Sequence, residues 1–138
     1  MDPRLNDACC PDKPHLKDRP LISDNMAKKV ESLFKLLSNA TRLRMLHALT
    51  IKGEMGVSEL SSKIGMKPQA VSNQLQKMMD RGVLTQRRDG LRVIYSIRDS
   101  CVIGLLEQGL CLIEDLQTDQ LPGVYIRNEH SIFGYKWA

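Results

Sequence analysis

The sequence is poor in aromatic residues and has no long apolar run, and both shortages narrow the class of protein. Phe, Trp and Tyr make up 4% of the 138 residues, which argues against a protein that stacks single-stranded bases on aromatic rings. No apolar stretch approaches the roughly 18 residues that a membrane-spanning helix needs. The first 25 residues are polar and interrupted by proline, unlike a secretion signal. We therefore expect one cytoplasmic domain without a membrane partner.

Cysteine is also scarce, and the motifs of the common enzyme classes are missing. Four cysteines in a chain without a secretion signal are more typical of thiols or metal ligands than of a disulfide framework. The sequence contains no glycine-rich phosphate loop, no nucleophile elbow and no pair of catalytic carboxylates. We therefore predict that the protein is not an enzyme and uses no organic cofactor.

Positive charge, in contrast, is concentrated in the middle of the chain. Residues 26–98 carry fourteen Lys or Arg and five Asp or Glu, a net charge of +9, while the segments before and after them carry −1 and −4. A basic segment between acidic flanks favours a polyanion as partner, although a solvated surface rich in Lys and Arg would give the same count. Charge alone leaves these two interpretations open.

Proline, glycine and apolar spacing divide the chain into three parts. Residues 1–25 contain four prolines and are predicted to form a flexible arm. Residues 119–138 show no period and stay unassigned. Between these parts, residues 26–118 predict a DNA-binding and dimerisation domain. Its predicted helices span 26–39, 42–53, 57–65, 68–82 and 99–118, and the second and third are expected to be capped by Thr41 and Ser58. Its predicted strands span 83–88 and 91–97 and are joined by an Asp89-Gly90 turn.

The last predicted helix carries more apolar surface than one chain can bury. Its apolar side chains are Val102, Leu105, Leu106, Leu110, Ile113 and Leu116. Such a broad apolar surface predicts a helix that packs on the core of its own chain and also on a partner chain.

Two short helices joined by a tight turn and followed by a β-hairpin predict a winged helix-turn-helix. The fold class is therefore mainly α with a β-hairpin wing. In such a fold the helix over 68–82 enters the major groove of double-stranded DNA, and the hairpin lies beside it as the wing. We call the helix over 68–82 the reader helix.

Polar side chains on the reader helix and basic side chains on the wing are the candidate DNA contacts. Asn and Gln can pair with base edges, Ser with a base or a phosphate, and Lys and Arg with phosphates or the minor groove. The candidates at the reader helix are Lys67, Gln69, Ser72, Asn73, Gln76 and Lys77. The candidates on the wing are Arg87, Arg88 and Arg92.

The runs 36-LLSNATRLRMLHAL-49 and 57-VSELSSKIGMKPQAVSNQLQKMMDRGVLTQRRDGLRVIYSI-97 resemble the ArsR/SmtB family of metal- and redox-responsive bacterial repressors. The resemblance covers about residues 26–117, with one departure at Gln74, where the family often has histidine. It implies a homodimer built on the first and last helices. It also implies that this dimer binds operator DNA without inducer and releases the DNA when an inducer binds.

The four cysteines are the candidate sensor, because thiolates prefer soft ions such as As(III), Cd(II) and Pb(II). Cys101 and Cys111 lie about 15 Å apart along the last helix and about 80° apart around it, so they cannot share an ion within one chain. Cys101 of one chain could instead meet Cys111 of its partner. Alternatively, Cys9 and Cys10 of the arm join one helix cysteine. Three thiolates would suit As(III), Pb(II) or Hg(II), and a fourth ligand would suit Cd(II) or Zn(II).

The family resemblance implies further, secondary ligands. The family's last-helix metal site falls on Asp99 and Cys101, with its partner positions near Leu112 and Asp115. The second histidine of that site is absent here, so Zn(II) is a weaker candidate than the softer ions. His15 in the arm is a further secondary ligand. The family's other site, a pair of cysteines just before the reader helix, has no cysteines in this sequence.

The sequence leaves three functions open. The first is a metal- or metalloid-responsive repressor that a soft ion releases from DNA. The second is a thiol-based redox or sulfide-responsive repressor, in which a helix cysteine bonds to the arm or to the other helix cysteine. The third is a DNA-binding or dimerisation module whose cysteines are only small apolar residues. Adjacent cysteines bond poorly to each other, which favours the metal sensor.

Overall fold

A computed structural model describes Cys10 and residues 12–118. This part of the chain forms five α-helices and a small antiparallel sheet of three strands. The helices are α1 (Asp24–Leu37), α2 (Ala40–Lys52), α3 (Val57–Ile64), α4 (Pro68–Asp80) and α5 (Ser100–Thr118). The strands are β1 (Glu54–Gly56), β2 (Leu84–Asp89) and β3 (Arg92–Ile97), and a 3₁₀ turn spans Leu16–Asp18. The predicted fold class is confirmed. Within the described residues no helix is long and apolar enough to cross a membrane.

Side-chain caps set where the first two helices begin, and one predicted cap is wrong. The Asn39 side chain, and not that of Thr41, caps α2 by accepting a hydrogen bond of 3.0 Å from the backbone N–H of Arg42. Asn and Thr are both good N-caps, so the apolar pattern alone does not choose between them. Ser23 caps α1 in the same way, and α1 therefore begins at Asp24, inside the segment predicted to be a flexible arm.

The stretch before α3 differs from the sequence prediction in two ways. The Glu54–Gly56 segment is a short strand that pairs with β3, with Met55 opposite Tyr95, and the sequence did not predict it. The N-cap of α3 is Gly56, so Ser58 lies inside the first turn and is not the cap. A strand of three residues is too short to show an alternating pattern, which explains why it was missed.

The wing is the β2–β3 hairpin, and its turn lies one residue further along than predicted. Asp89 pairs with Arg92 at the end of the ladder, so Gly90 and Leu91 form the two-residue loop. Gly90 has a φ of +64°, a left-handed conformation that glycine adopts without strain. The strand order is β1-β3-β2, so β3 is the central strand and its pairing partners β1 and β2 flank it.

The core lies where α2, α3 and α4 pack against one face of the sheet. The residues most completely removed from solvent are Met45, Leu46, Leu49, Leu60, Val71, Leu75, Met78 and Leu84. All of them except Met45 and Leu84 lie at the apolar helical spacing that predicts inward-facing positions in the sequence. Since the buried stripe of α4 fixes how that helix is rotated, its opposite face is turned to solvent.

Two helices expose apolar side chains that the core does not cover. On α1, Val30 and Phe34 are 37% and 51% exposed, and on α5 Leu110, Ile113 and Leu116 are 42–52% exposed. Monomeric proteins rarely leave such contiguous apolar surface in water. These are the surfaces that the predicted homodimer through the first and last helices would bury.

Candidate DNA-binding face and thiol site

The exposed face of α4, the reader helix, carries the polar side chains singled out in the sequence. Pro68 begins the helix, where its missing N–H and fixed φ cost nothing. Val71, Leu75 and Met78 are fully buried on the inner side. The outer side exposes Lys67, Gln69, Asn73, Gln76 and Lys77, with Ser72 partly buried beside them. One continuous polar surface with a lysine near each end therefore faces solvent.

Hydrogen bonds along α4 align its amide side chains. Gln69 Nε2 donates to Asn73 Oδ1 over 3.1 Å, and Gln76 Nε2 donates to Asp80 Oδ1 over 2.7 Å. The first pair leaves the Asn73 amide group as a donor and Gln69 Oε1 as an acceptor. A donor and an acceptor side by side match the major-groove edge of adenine. The aligned pair is thus suited to base recognition.

Arg42 on α2 ties the reader helix to the end of α1, and the sequence did not single it out. Its Nε donates to Gln74 Oε1 and its Nη1 to the backbone oxygen of Leu36, both over 2.8 Å. Gln74, the departure from the family pattern, thus lies on the side of α4 that faces α2. Its bond to Arg42 helps to position the reader helix. A single arginine within an apolar helical pattern shows nothing about a partner 32 residues away.

Two of the three wing arginines are held in ion pairs by carboxylates outside the wing. Arg87 makes a bidentate pair with Glu54 of β1, with both N···O distances 2.9 Å. This bond to Arg87 lowers the pKa of Glu54. Arg92 donates to Glu59 of α3 over 2.6 Å. Arg88 is exposed and forms no ion pair with any described residue.

Glu59 collects several donors at the start of α3. Lys52 and Arg92 both pair with its carboxylate, and the backbone of Gly56 donates to it as well. The hydrogen bonds from Lys52 and then Arg92 lower the pKa of Glu59 from 4.5 to about 2. A Cβ on Gly56 would lie 3.1 Å from Arg92 Nη2. The Arg92 guanidinium therefore passes directly over Gly56, and the small residue there leaves room for it.

A pair of cysteine sulfur atoms forms the second candidate site. Cys10 Sγ lies 3.3 Å from Cys101 Sγ, and both residues are partly buried. The backbone oxygen of Cys10 accepts a hydrogen bond from Lys13 N over 3.1 Å. Cys101 is the second residue of α5, and its N–H donates to Asp99 Oδ1 over 2.8 Å. Each cysteine thus has a local backbone hydrogen bond, and the sulfur contact joins the arm to the start of α5.

The other predicted ligands within the described residues do not join this pair. Cys111 lies ten residues further along α5, about 15 Å away along the axis. Asp99 uses one carboxylate oxygen to cap α5, while His15 and Asp115 are exposed. Cys9 lies outside the described residues. Considering only Cys10 and residues 12–118, no group of three or more His, Cys, Asp or Glu side chains could hold a metal ion.

The distance between the two sulfur atoms fits thiolates that share one ion. At a metal–sulfur bond of about 2.3 Å and angles of about 90–110°, two such thiolates lie roughly 3.3–3.8 Å apart. The observed 3.3 Å falls in this range and exceeds the roughly 2.05 Å of a disulfide bond, so these two sulfur atoms are not bonded to each other, while Cys101 is itself disulfide-bonded in this structure. After reduction of the Cys101 disulfide, the pair could supply two of the three ligands of a trigonal soft-ion site.

The fold and the exposed face of α4 define a winged helix-turn-helix DNA-binding regulator and not an enzyme. A family model for a helix-turn-helix domain matches residues 37–87. The cadmium resistance transcriptional regulatory protein CadC of Listeria innocua is 30% identical over 87 residues, which are 63% of this chain and 73% of CadC. The chain belongs to the ArsR/SmtB family of transcriptional regulators.

Two solved structures extend the comparison to three dimensions. The crystal structure of the AntR antimony-specific transcriptional repressor has a TM-score of 0.68 and 52% sequence identity, over 76% of this chain and 95% of that chain. The solution structure of a homodimeric winged helix-turn-helix DNA-binding domain from Mycobacterium bovis, a possible ArsR-family regulator, has a TM-score of 0.59 and 26% identity. It covers 80% of this chain and all of that chain.

Proposed function

We propose that the protein is a cytoplasmic, homodimeric repressor that releases operator DNA when a soft metalloid or metal ion binds cysteine thiolates. The ligands within one chain are Cys9, Cys10 and Cys101, the last of them after the disulfide that it forms in this structure is reduced. The observation that carries this proposal is the 3.3 Å distance between the sulfur atoms of Cys10 and Cys101. Cys9 completes the set because it is next to Cys10 in the sequence. This choice favours Cys101 over Cys111 as the helix ligand.

The donor set favours a trivalent metalloid. Three thiolates suit a trigonal ion, whereas Cd(II) and Zn(II) prefer a fourth ligand. A protein 52% identical to this chain is described as an antimony-specific repressor, which supports Sb(III) beside As(III) as inducer. Cd(II) is a candidate inducer because the similar protein CadC is described as a cadmium resistance regulator. Pb(II) is a candidate inducer because it has a high affinity for sulfur ligands. Zn(II) is the weakest candidate, since no histidine of the described residues joins the pair.

The position of the thiol pair suggests how binding would reach the DNA. Cys10 belongs to the arm that leads into α1, and Cys101 begins α5, so one ion on both joins the two helices with the exposed apolar surfaces. Those surfaces form the dimer in this proposal. A dimer reads half-sites about 34–36 Å apart, and a changed α1–α5 arrangement would misplace the two reader helices. The coupling is a difference in DNA affinity between the ion-bound and ion-free dimers.

The test is DNA binding by the reduced full-length protein, titrated in parallel with As(III), Sb(III), Cd(II), Pb(II), Zn(II) and a polysulfide. The duplex is one selected in vitro for binding by the unaltered protein, and reactive thiols are counted at each endpoint. We expect release by a trivalent metalloid with the loss of about three reactive thiols per chain. Release with the loss of about one thiol would contradict the three-thiolate site.

The disulfide that Cys101 forms in this structure favours one alternative, a redox switch in which a disulfide joins the arm to α5. Oxidation of two thiols to a disulfide removes two electrons and two protons, which the added polysulfide accepts. Release by the polysulfide alone, reversed by a thiol reductant, would establish this alternative in place of the metalloid sensor. If none of the added agents releases the DNA, both proposals for the cysteines fail and the DNA-binding role remains.

A further inference from the structure

The basic side chains of the wing are unequal in their freedom to reach DNA. Arg88 is exposed and not ion-paired within the described chain, while Arg87 and Arg92 point back to carboxylates of β1 and α3. Glu59, the partner of Arg92, also binds Lys52 and the start of α3, so that pair belongs to the framework. Among the described residues, Glu54 forms an ion pair with Arg87 alone. Arg87 and Glu54 therefore form a separable unit.

The strand register shows the path that the Arg87 side chain takes. Arg87 lies opposite Ile94 of the central strand, and Ile94 lies opposite Gly56 of β1. Residues directly opposite in a ladder share one face of the sheet. To reach Glu54, the Arg87 side chain must cross that face, and Ile94 on it is only 6% exposed. The guanidinium is thus directed along the sheet toward β1, away from the tip of the wing.

We propose that Glu54 restrains the affinity of the wing for DNA by holding Arg87 in an ion pair that keeps Arg87 from binding a phosphate. Both side chains are about half exposed, at 54% for Arg87 and 48% for Glu54. Solvent therefore reaches the pair, which contributes little to stability, so Glu54 can be neutralised without unfolding the wing. A bidentate carboxylate and a phosphate compete for the same two guanidinium N–H groups. The proposal depends on the DNA-binding role of the fold and not on the thiol site.

The expected effect follows from the strength of an exposed bidentate pair. Glu54→Gln should tighten DNA binding by about 1.5- to 5-fold per wing, the range for one exposed ion pair, and so by about 2- to 25-fold for a dimer with two wings. Freed Arg87 should add one phosphate contact per wing. Each added contact makes the slope of log K against log salt more negative by about 0.9, so two wings per dimer add about 1.8. A structural role for the pair would instead weaken binding and leave the slope unchanged.

The experiment measures DNA affinity of the reduced full-length protein between about 50 and 200 mM salt, by fluorescence anisotropy on the in vitro selected duplex. It compares the unaltered protein with Glu54→Gln, Arg87→Gln and the double variant. Glu31→Gln is the matched control, because Glu31 pairs with Lys35 on the surface of α1 and also loses one negative charge. We expect it to leave the salt slope unchanged.

The double variant separates release of Arg87 from simple loss of a repulsive charge. If Glu54 acts through Arg87, Glu54→Gln has no effect on the salt slope once Arg87 is replaced by Gln. An equal effect in both backgrounds would overturn the proposal, and so would unchanged or weaker binding by Glu54→Gln alone. If the protein responds to no metalloid but Glu54→Gln still changes the salt slope through Arg87, only the proposed inducer is contradicted. The two proposals therefore fail independently.

Discussion

The sulfur atoms of Cys10 and Cys101 lie 3.3 Å apart although 91 positions separate the two residues in the chain. The contact links the arm before α1 to the first turn of α5, which are the two helices with exposed apolar surface. Cys111, on the same helix, is too far along the axis to join this pair within one chain. The three cysteines within the described residues are therefore unequal, and this inequality can be tested directly.

Replacing Cys10 or Cys101 by Ser should abolish or blunt the release of DNA by a metalloid while DNA affinity without the ion stays within about 2-fold. A hydroxyl is a harder and far less acidic ligand than a thiolate, so a soft ion loses one of its three donors. Cys111→Ser is the matched control on the same helix and should respond like the unaltered protein. The measurement is the metalloid concentration at half-release. A normal response from Cys10→Ser and Cys101→Ser would remove the pair from the sensor.

Asp99 should act as the cap of α5 and not as a metal ligand. Its Oδ1 accepts the Cys101 N–H over 2.8 Å, and a capping side chain contributes about 1 kcal/mol. Asp99→Ser keeps a capping oxygen and should preserve both stability and the metalloid response. Asp99→Ala should lower the free energy of unfolding by about 0.5–2 kcal/mol. If both variants lose the response equally, the carboxylate is a ligand after all.

Asn73 should contribute to sequence preference and not to general DNA affinity. Its amide is exposed on α4 and aligned by Gln69, and a bidentate amide–adenine contact discriminates against other bases by about 1–3 kcal/mol. Asn73→Ala should therefore reduce the ratio of affinities for the selected duplex and for a random duplex by about 5- to 150-fold, the equivalent of that energy. Lys77→Ala, a phosphate candidate on the same face, should weaken both alike. Equal losses on both duplexes for Asn73→Ala would contradict base recognition.

The helices and the reader face could be predicted from sequence because burial dictates them. Apolar residues at helical spacing, such as Val71, Leu75 and Met78, are buried only if the helix is rotated as observed, and this rotation fixes which polar residues face outward. The caps and the hairpin turn were less certain, since neighbouring residues such as Asn39 and Thr41 are chemically suited to the same role. In these cases the backbone geometry decides which residue is the cap and where the turn lies.

The pairings between distant polar residues could not be predicted. Arg42 with Gln74, and Arg87 with Glu54, join residues 32 and 33 positions apart. No periodicity links such residues, and many exposed charges of the chain could have paired equally well by composition. The family resemblance placed ligands at the start and middle of the last helix, whereas the sulfur of Cys101 lies against the arm. Tertiary structure supplies information that local patterns lack.

Stability should depend on the charge of Glu59 at acidic pH. Lys52 and Arg92 lower the pKa of Glu59 from 4.5 to about 2. A carboxyl group whose pKa is lower in the folded state stabilises that state above pH 4.5, and this contribution is lost as the pH falls through about 2. Glu59→Gln should therefore be less stable than the unaltered protein at pH 7, with a difference that shrinks between pH 4.5 and 2. Urea unfolding midpoints across this range provide the test, and parallel curves would contradict it.

Arg42 should be important for both stability and DNA binding, because it links α1 to the reader helix. Arg42→Met keeps much of the apolar stem but removes the donors to Gln74 Oε1 and the Leu36 oxygen. Leaving partly buried acceptors without partners costs about 1–3 kcal/mol, so we expect a loss of that size in the free energy of unfolding. Arg44→Met is the control, since Arg44 is exposed on the same helix with a longer bond of 3.3 Å to the Ile64 oxygen. Its loss should be about 0.5 kcal/mol or less.

DNA binding separates the positioning role of Arg42 from a merely stabilising one. If Arg42 positions α4, Arg42→Met should weaken binding to the selected duplex even at temperatures where the variant is fully folded. Gln74→Leu removes the acceptor on the reader helix and should reproduce this loss, since Gln74 lies on the side of α4 that faces α2. The salt slope should stay unchanged in both variants, because neither change removes a phosphate contact. Normal DNA affinity in folded Arg42→Met would restrict the residue to stability alone.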